Sequence, residues 1–510
     1  MDNTYRSQFA NNTMASMLAF SISAVIGFVM PWLIYEQIGQ TFLGIWDLGW
    51  SLLLFLSLPG LGYGPALIYY LAKENGHVDK RDDSTWVLSA FFCQVAVAFT
   101  IAFVFKIGFE MIRYFGTEFT VAEASAISKL GTVLGLTLAI AMLGDIARSI
   151  LIGVHESKTS EFISIAHDVF LAVSMLISLF SGGGIVWLAI VTLGCRTLFE
   201  LIRFAAVLQN TDVFKSGLNR NVSNSIRRLS RYAAKSGVFV LQENMTLQVT
   251  RLILFVSAGP ATLAVFSRYA TLFRQLNLFI DRVGIALPAM VSRFQSKAEY
   301  DEIQRLYIGF AQLTMLLSLP LLVIFGVWGD TIVTLWMSEE FVVDELASIF
   351  AAGGFFYANY SAAAKILSGL NRHGKIALKS LFAASALLVV LGYVFYPFTS
   401  MEAALLVAIT SIVALHTPFI LYLANYFGIP WVEVVVRVNG KPILCNLVFL
   451  FILIWSNELF LLQSYVSFVL VLVAGCVSLL VSYWYFGIDQ NLKDNFFAFL
   501  NLENKPASRT

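Results

Sequence analysis

The chain has 510 residues, of which 58% are hydrophobic and only 13% charged, and its mean hydropathy is +0.77. So small a polar fraction cannot cover a water-facing surface of this size, which excludes a soluble globular protein and leaves a polytopic membrane protein. Lys+Arg 33 nearly balance Asp+Glu 32, a formal charge of +1, so the totals carry no signal for nucleic acid or an acidic partner.

The first dozen residues, MDNTYRSQFANN, are polar. The apolar run that follows is too long for a signal-peptide core and lacks a clear cleavage site, so it reads as a retained first span. At about 20 apolar residues per crossing, the chain divides into about fourteen spans, centred from Val25 to Leu472. Runs of this length predict helices, so the expected fold is an all-α bundle.

Lysines and arginines collect on the side of the N-terminus: Lys73, Lys80 and Arg81 in one loop, Arg220 to Lys235 in another, and Arg372, Lys375 and Lys379 in a third. The opposite loops carry only Lys106, Arg113 and Lys129. The positive-inside rule places both termini in the cytoplasm, as an even number of spans requires.

An internal repeat divides the spans into two lobes. A shift of 220 residues lays 38–73 over 258–293, matching Gly39 with Gly259, Leu43 with Leu263, Gly64 with Gly284 and Lys73 with Arg293. A shift of 216 matches Leu151 and Gly153 with Leu367 and Gly369. Six spans per repeat give both lobes the same orientation, a parallel pseudo-two-fold relation with a cavity expected between the lobes. The expected organisation is an N-terminal lobe over 1–208, a basic cytoplasmic connector over 209–235, a C-terminal lobe over 236–425, and two further helices with a tail over 426–510.

No catalytic motif is present: there is no GxSxG, HExxH, Walker loop or Cys/His cluster, so neither an enzyme nor a metal or cofactor site is expected. Cys93, Cys195, Cys445 and Cys476 are scattered through apolar runs, and the histidines are isolated. Arg196, Glu200 and Arg203, at i, i+4 and i+7 of the sixth span, can pair among themselves.

Spans 7 and 8 differ. Glu243 and Arg251 lie in the seventh, and Arg268, Arg274, Asp281 and Arg282 in the eighth, four arginines against two acids. Arg274 falls near mid-membrane, with Arg268 and Asp281 about 9–10 Å to either side. Glu243 can pair with Arg274, which leaves Arg251 and Arg268 as surplus positive charge. Ionisable groups at membrane depth are costly, and unpaired arginines there face a water-filled cavity that holds an anion, phosphate above all.

The stretch IGQTFLGIWDLGWSLLLFLSLPGLGYGPALIYYLAK, with PAMVSRFQSK and LSGLNRHGK further on, resembles the polysaccharide transporter family. These are the Wzx-type O-antigen and exopolysaccharide flippases of the multidrug/oligosaccharidyl-lipid/polysaccharide exporter superfamily. The resemblance implies a two-lobed bundle of 12 to 14 helices in the bacterial inner membrane. It would move an undecaprenyl-pyrophosphate-linked oligosaccharide, for O-antigen or lipopolysaccharide biosynthesis, from inner to outer leaflet by alternating access. By the same resemblance, Arg251, Arg268, Arg274 and Arg282 would bind the substrate, and Glu243 and Asp281 would couple ions. The implied partners are membrane lipids and the polysaccharide polymerase with its chain-length machinery, the flippase acting as a monomer. Two alternatives stand beside it. A cation or drug antiporter of the same superfamily would be expected to carry an acid in the first span, where 14–35 has none. A membrane glycan ligase or polymerase would need a large outward loop with catalytic residues.

Overall fold

A computed structural model describes residues 24–51, 63–74, 83–115, 120–154, 156–211, 222–284, 287–296, 299–370, 372–395, 401–458 and 465–487. Every extended element among them is a helix. They are α1 (24–51), α2 (Tyr63–Glu74), α3 (Asp83–Phe115), α4 (Val121–Gly153), α5 (Ser157–Phe180), α6 (Ile185–Asn210) and α7 (Val222–Val283). Then follow α8 (Leu287–Ser296), α9 (Tyr300–Trp336), α10 (Leu346–Gly369), α11 (His373–Phe395), α12 (Met401–Phe427), α13 (Trp431–Glu458) and α14 (Tyr465–Ser482). Among the described residues six helical segments, such as Ser84–Met111 and Tyr300–Trp336, are individually long and apolar enough to cross a membrane.

Helix faces carry the same message. Along α3, Ala90, Ala98, Ile101, Phe105 and Phe109 are buried, while Phe99 is 71% and Phe103 65% exposed. Rings so exposed are stable in hydrocarbon and would be a liability in water. The buried stripe meets α4 at Gly131 and Gly135, where an added Cβ would stand 2.4 Å from Phe109 Cβ and 3.2 Å from the Ala102 carbonyl. With no hydrophobic drive between helices in lipid, such close approach through small residues supplies the packing energy.

The repeat is visible in local geometry. Gly39 and Gly259 both have φ of 85°. At Gly259, with ψ 174°, the backbone leaves helical geometry, so α7 is two helices in succession, 222–258 and 260–283. Only glycine enters this region cheaply. Gly153 and Gly369 give a second match: a Cβ on Gly153 would lie 3.0 Å from Leu71 Cβ, and one on Gly369 2.7 Å from Val291 Cβ and from the Pro288 carbonyl. Leu71 and Val291 are themselves partners under the shift of 220. Gly369→Ala is accordingly expected to destabilise the protein by about 1–3 kcal/mol through overpacking against fixed backbone. Gly309→Ala, with nothing within 4 Å of its Cβ position, should be neutral or slightly stabilising in the same thermal unfolding assay.

By internal contacts the chain forms two compact units, Met1–Arg268 with Gly392–Ala404, and Tyr269–Leu391 with Leu405–Thr510. In the first, the basic connector is not a loop throughout, because α7 already begins at Val222. Ser225, Leu229 and Ala233 are buried at i, i+4 and i+8 while Arg227, Arg228 and Arg231 are exposed. Leu229 joins a core with Leu67, Trp86 and Ile150, and the Tyr63 and Ser230 hydroxyls are 3.2 Å apart. An amphipathic helix with a basic outer face suits an anionic leaflet.

In the second unit, α13 and α14 pack on α9 through Trp328, Phe449, Leu453 and Leu479. Pro320 inside α9 has no N–H, which frees the carbonyl of Leu316. The Tyr483 hydroxyl, in the turn after α14, donates to that carbonyl at 2.7 Å and accepts from Asn446 Nδ2 at 2.7 Å. Tyr483→Phe should therefore cost about 1–3 kcal/mol, read as a lowered unfolding midpoint, because the carbonyl is left unsatisfied where water is scarce.

Candidate functional site

In the first unit, α1 and the part of α7 after Gly259 touch backbone to backbone: a Cβ on Gly44 would fall 1.8 Å from the Pro260 carbonyl oxygen. Gln40 Nε2 also donates to the Ala261 carbonyl at 3.5 Å. This approach brings Asp47 of α1 to Arg268 of α7, with Nη2 to Oδ2 at 2.5 Å. The Arg268 side chain is 1% exposed and that of Asp47 14%. One turn beyond Asp47, Ser51 accepts from Arg251 Nη1 at 3.1 Å, and Gln248 Oε1 accepts from the same nitrogen at 3.3 Å.

The expectation that Arg268 is surplus charge is thus corrected. Its counter-ion lies outside the two spans in which acids and bases were balanced, within the Gly-Ile-Trp-Asp stretch of the other repeat copy. A buried guanidinium survives there because a carboxylate meets it directly and its Nε donates to the Ala264 carbonyl at 3.3 Å.

In the second unit, Asp281 near the end of α7 meets one face of α10. Tyr357, Ser361 and Lys365, at i, i+4 and i+8, all donate to it, at 2.6, 2.9 and 3.1 Å. Asp281 remains 40% exposed at its side chain. Arg274, two turns earlier, is exposed and makes no hydrogen bond or ion pair among the described residues. The side chains of Glu243 and Arg282, though their backbones belong to α7, lie outside the described residues, so the anticipated Glu243 to Arg274 pair does too.

The charges of α6 are a closed network, as their spacing predicts. Glu200 forms an ion pair with Arg196 at 3.0 Å and accepts from Arg203 at 2.5 Å, and Arg203 also donates to Ser164 at 3.0 Å. Gly144 makes the room, since a Cβ there would lie 2.0 Å from Glu200 Cδ. Under the shift of 216 the same two positions are Tyr360 and His416, whose rings stack at 4.2 Å. One repeat fills the position with charge and the other with aromatic rings.

No family model matches the sequence, and no curated protein matches it. Solved structures do match. An inward-facing multidrug resistance MATE family transporter of the MOP superfamily aligns with a TM-score of 0.68 at 14% identity, over 82% of this chain and 98% of that one. The likeness is one of fold. The lipid II flippase MurJ, in an inward closed conformation, aligns over 92% of this chain and 98% of its own, with a TM-score of 0.64 at 14% identity. A MOP superfamily transporter from Pyrococcus furiosus aligns with a TM-score of 0.61 over 82% of this chain and 95% of that one, at 14% identity. That transporter is described as having a binding pocket of reverse polarity, which suggests a different function for it. The compared structures are named as transporters or as a flippase.

Sequence reasoning missed the pairing of Asp47 with Arg268 and that of Asp281 with Tyr357, Ser361 and Lys365. The available signal for Asp47 was an acid in an otherwise apolar run, one position from the repeat counterpart of Arg268. For Tyr357 and Ser361 it was their spacing with Lys365 on one helical face.

Proposed function

We propose that this chain is a flippase that carries an undecaprenyl-pyrophosphate-linked oligosaccharide, an O-antigen or exopolysaccharide repeat unit, from the inner to the outer leaflet of the bacterial inner membrane. It works by alternating access through a cationic cavity, as a monomer with both termini in the cytoplasm, and it hands its product to the polymerase and chain-length machinery. The observation that carries this reading is Arg274: an exposed arginine in an apolar helix, unpartnered among the described residues, is stable when an anion or water meets it. A pyrophosphate fits the planar, bidentate donor fork better than any neutral or cationic passenger. The likeness to the lipid II flippase supports a lipid-linked substrate.

Arg251 and Arg282 supply further positive charge along the path. Arg268, sealed against Asp47, acts by holding α1 to α7 and so positions the others. Glu243 and Asp281 are the acids for ion coupling. The antiporter reading draws on the MATE likenesses, but a cationic drug would be repelled by Arg274. Deleting the gene tests the proposal: one lipid-linked glycan should accumulate on the cytoplasmic leaflet, and an unchanged distribution of such glycans would refute it.

A further inference from the structure

Lys365 is held in a way that a salt bridge alone does not require. Its ammonium donates to Asp281 Oδ1 at 3.1 Å and to Ser361 Oγ at 2.9 Å, and its side chain is 16% exposed. The second carboxylate oxygen is fixed by the Tyr357 hydroxyl at 2.6 Å. A carboxylate oxygen beside a hydroxyl oxygen, on an acid whose side chain is 40% exposed, offers ligands of the kind a monovalent cation takes. Here the ammonium meets both oxygens.

The fit is built into the fold. Gly284 lies against the lysine stem, and a Cβ there would come within 2.7 Å of Lys365 Cδ and 2.5 Å of Phe310 Cζ. The repeat supplies a contrast. Gly64, the counterpart of Gly284, faces Asp145 Oδ2 and Ser149 Oγ, at 2.5 and 2.8 Å from its Cβ position. Under the shift of 216 these are the counterparts of Ser361 and Lys365. The first unit thus has a carboxylate and a hydroxyl at a position where the second has a hydroxyl and an amine.

We infer that Lys365 is a tethered cation that occupies the metal-ion position beside Asp281 and makes this site independent of sodium. A compact ammonium with three donors replaces a hydrated monovalent ion in charge and in reach. A sodium ion cannot enter while the ammonium is in place. The inference rests on the reading of Asp281 as a coupling acid. Its test measures ion binding rather than lipid movement, so either can fail without the other.

The test is the thermal unfolding midpoint of the purified protein in sodium chloride against choline chloride at equal ionic strength. The wild-type protein should show no sodium effect that depends on Asp281. Lys365→Met should unfold several degrees lower in choline and recover with rising sodium, because binding to the folded state alone stabilises it. Adding Asp281→Asn should abolish that recovery. Lys365→Gln, which keeps a polar side chain, serves if the methionine variant does not fold, and Lys365→Arg should stay insensitive to sodium. A sodium response in the wild type that Asp281→Asn removes, or folded Lys365 variants indifferent to sodium, would overturn the inference.

Discussion

Replacing Asp47 by leucine is expected to cost about 3–5 kcal/mol of stability, because it strands the guanidinium of Arg268 in a place where only 1% of its side chain is exposed. The loss should be largely recovered in the double variant Asp47→Leu with Arg268→Met. Removing both charges abolishes the desolvation penalty together with the attraction, and well-packed apolar pairs are often as stable as the ion pair they replace. Unfolding midpoints of the two single variants and the double variant form a cycle that isolates the coupling. If Asp47→Leu were as stable as the parent, the contact would not hold the two helices together.

Arg274→Ala should behave in the opposite way. Arg274 has no partner among the described residues to leave stranded, so the variant is expected to fold and reach the membrane with unchanged thermal stability. Transport should suffer instead. A charge-assisted hydrogen bond contributes about 1.5–3 kcal/mol, and each 1.4 kcal/mol is a factor of ten, so affinity for a pyrophosphate-linked substrate should fall roughly ten- to a hundredfold. Arg274→Lys keeps the charge but loses the planar fork, and an intermediate defect is expected. The two arginines stand six residues apart on one helix, yet one is predicted to fail in stability and the other in transport.

Much of the architecture could be read from the chain because it is imposed by the membrane. Length of apolar runs sets the spans, and the repeat survives as glycines that a side chain cannot replace: Gly39 with Gly259 for their backbone conformation, Gly153 with Gly369 for their contacts. The amphipathic start of α7 was not read, because its arginines suggested a connecting loop, although Ser225, Leu229 and Ala233 recur every four residues. Charge compensation between helices was not legible either. Asp47 and Arg268 are separated by 221 residues, and Asp281 and Lys365 by 84, so neither pairing follows from helical periodicity within one span. Balancing acids against bases span by span left Arg268 without its counter-ion; only the close approach at Gly44 joins the two.

The measurement that bears most directly on the central claim is translocation in proteoliposomes of an undecaprenyl-pyrophosphate-linked oligosaccharide, followed by its accessibility to a membrane-impermeant reagent. The wild-type protein should move it across the bilayer, and Arg274→Ala, reconstituted to the same level and equally stable, should move it far more slowly. Equal translocation by Arg274→Ala, or wild-type protein that moves a cationic drug but not the lipid-linked glycan, would contradict the account.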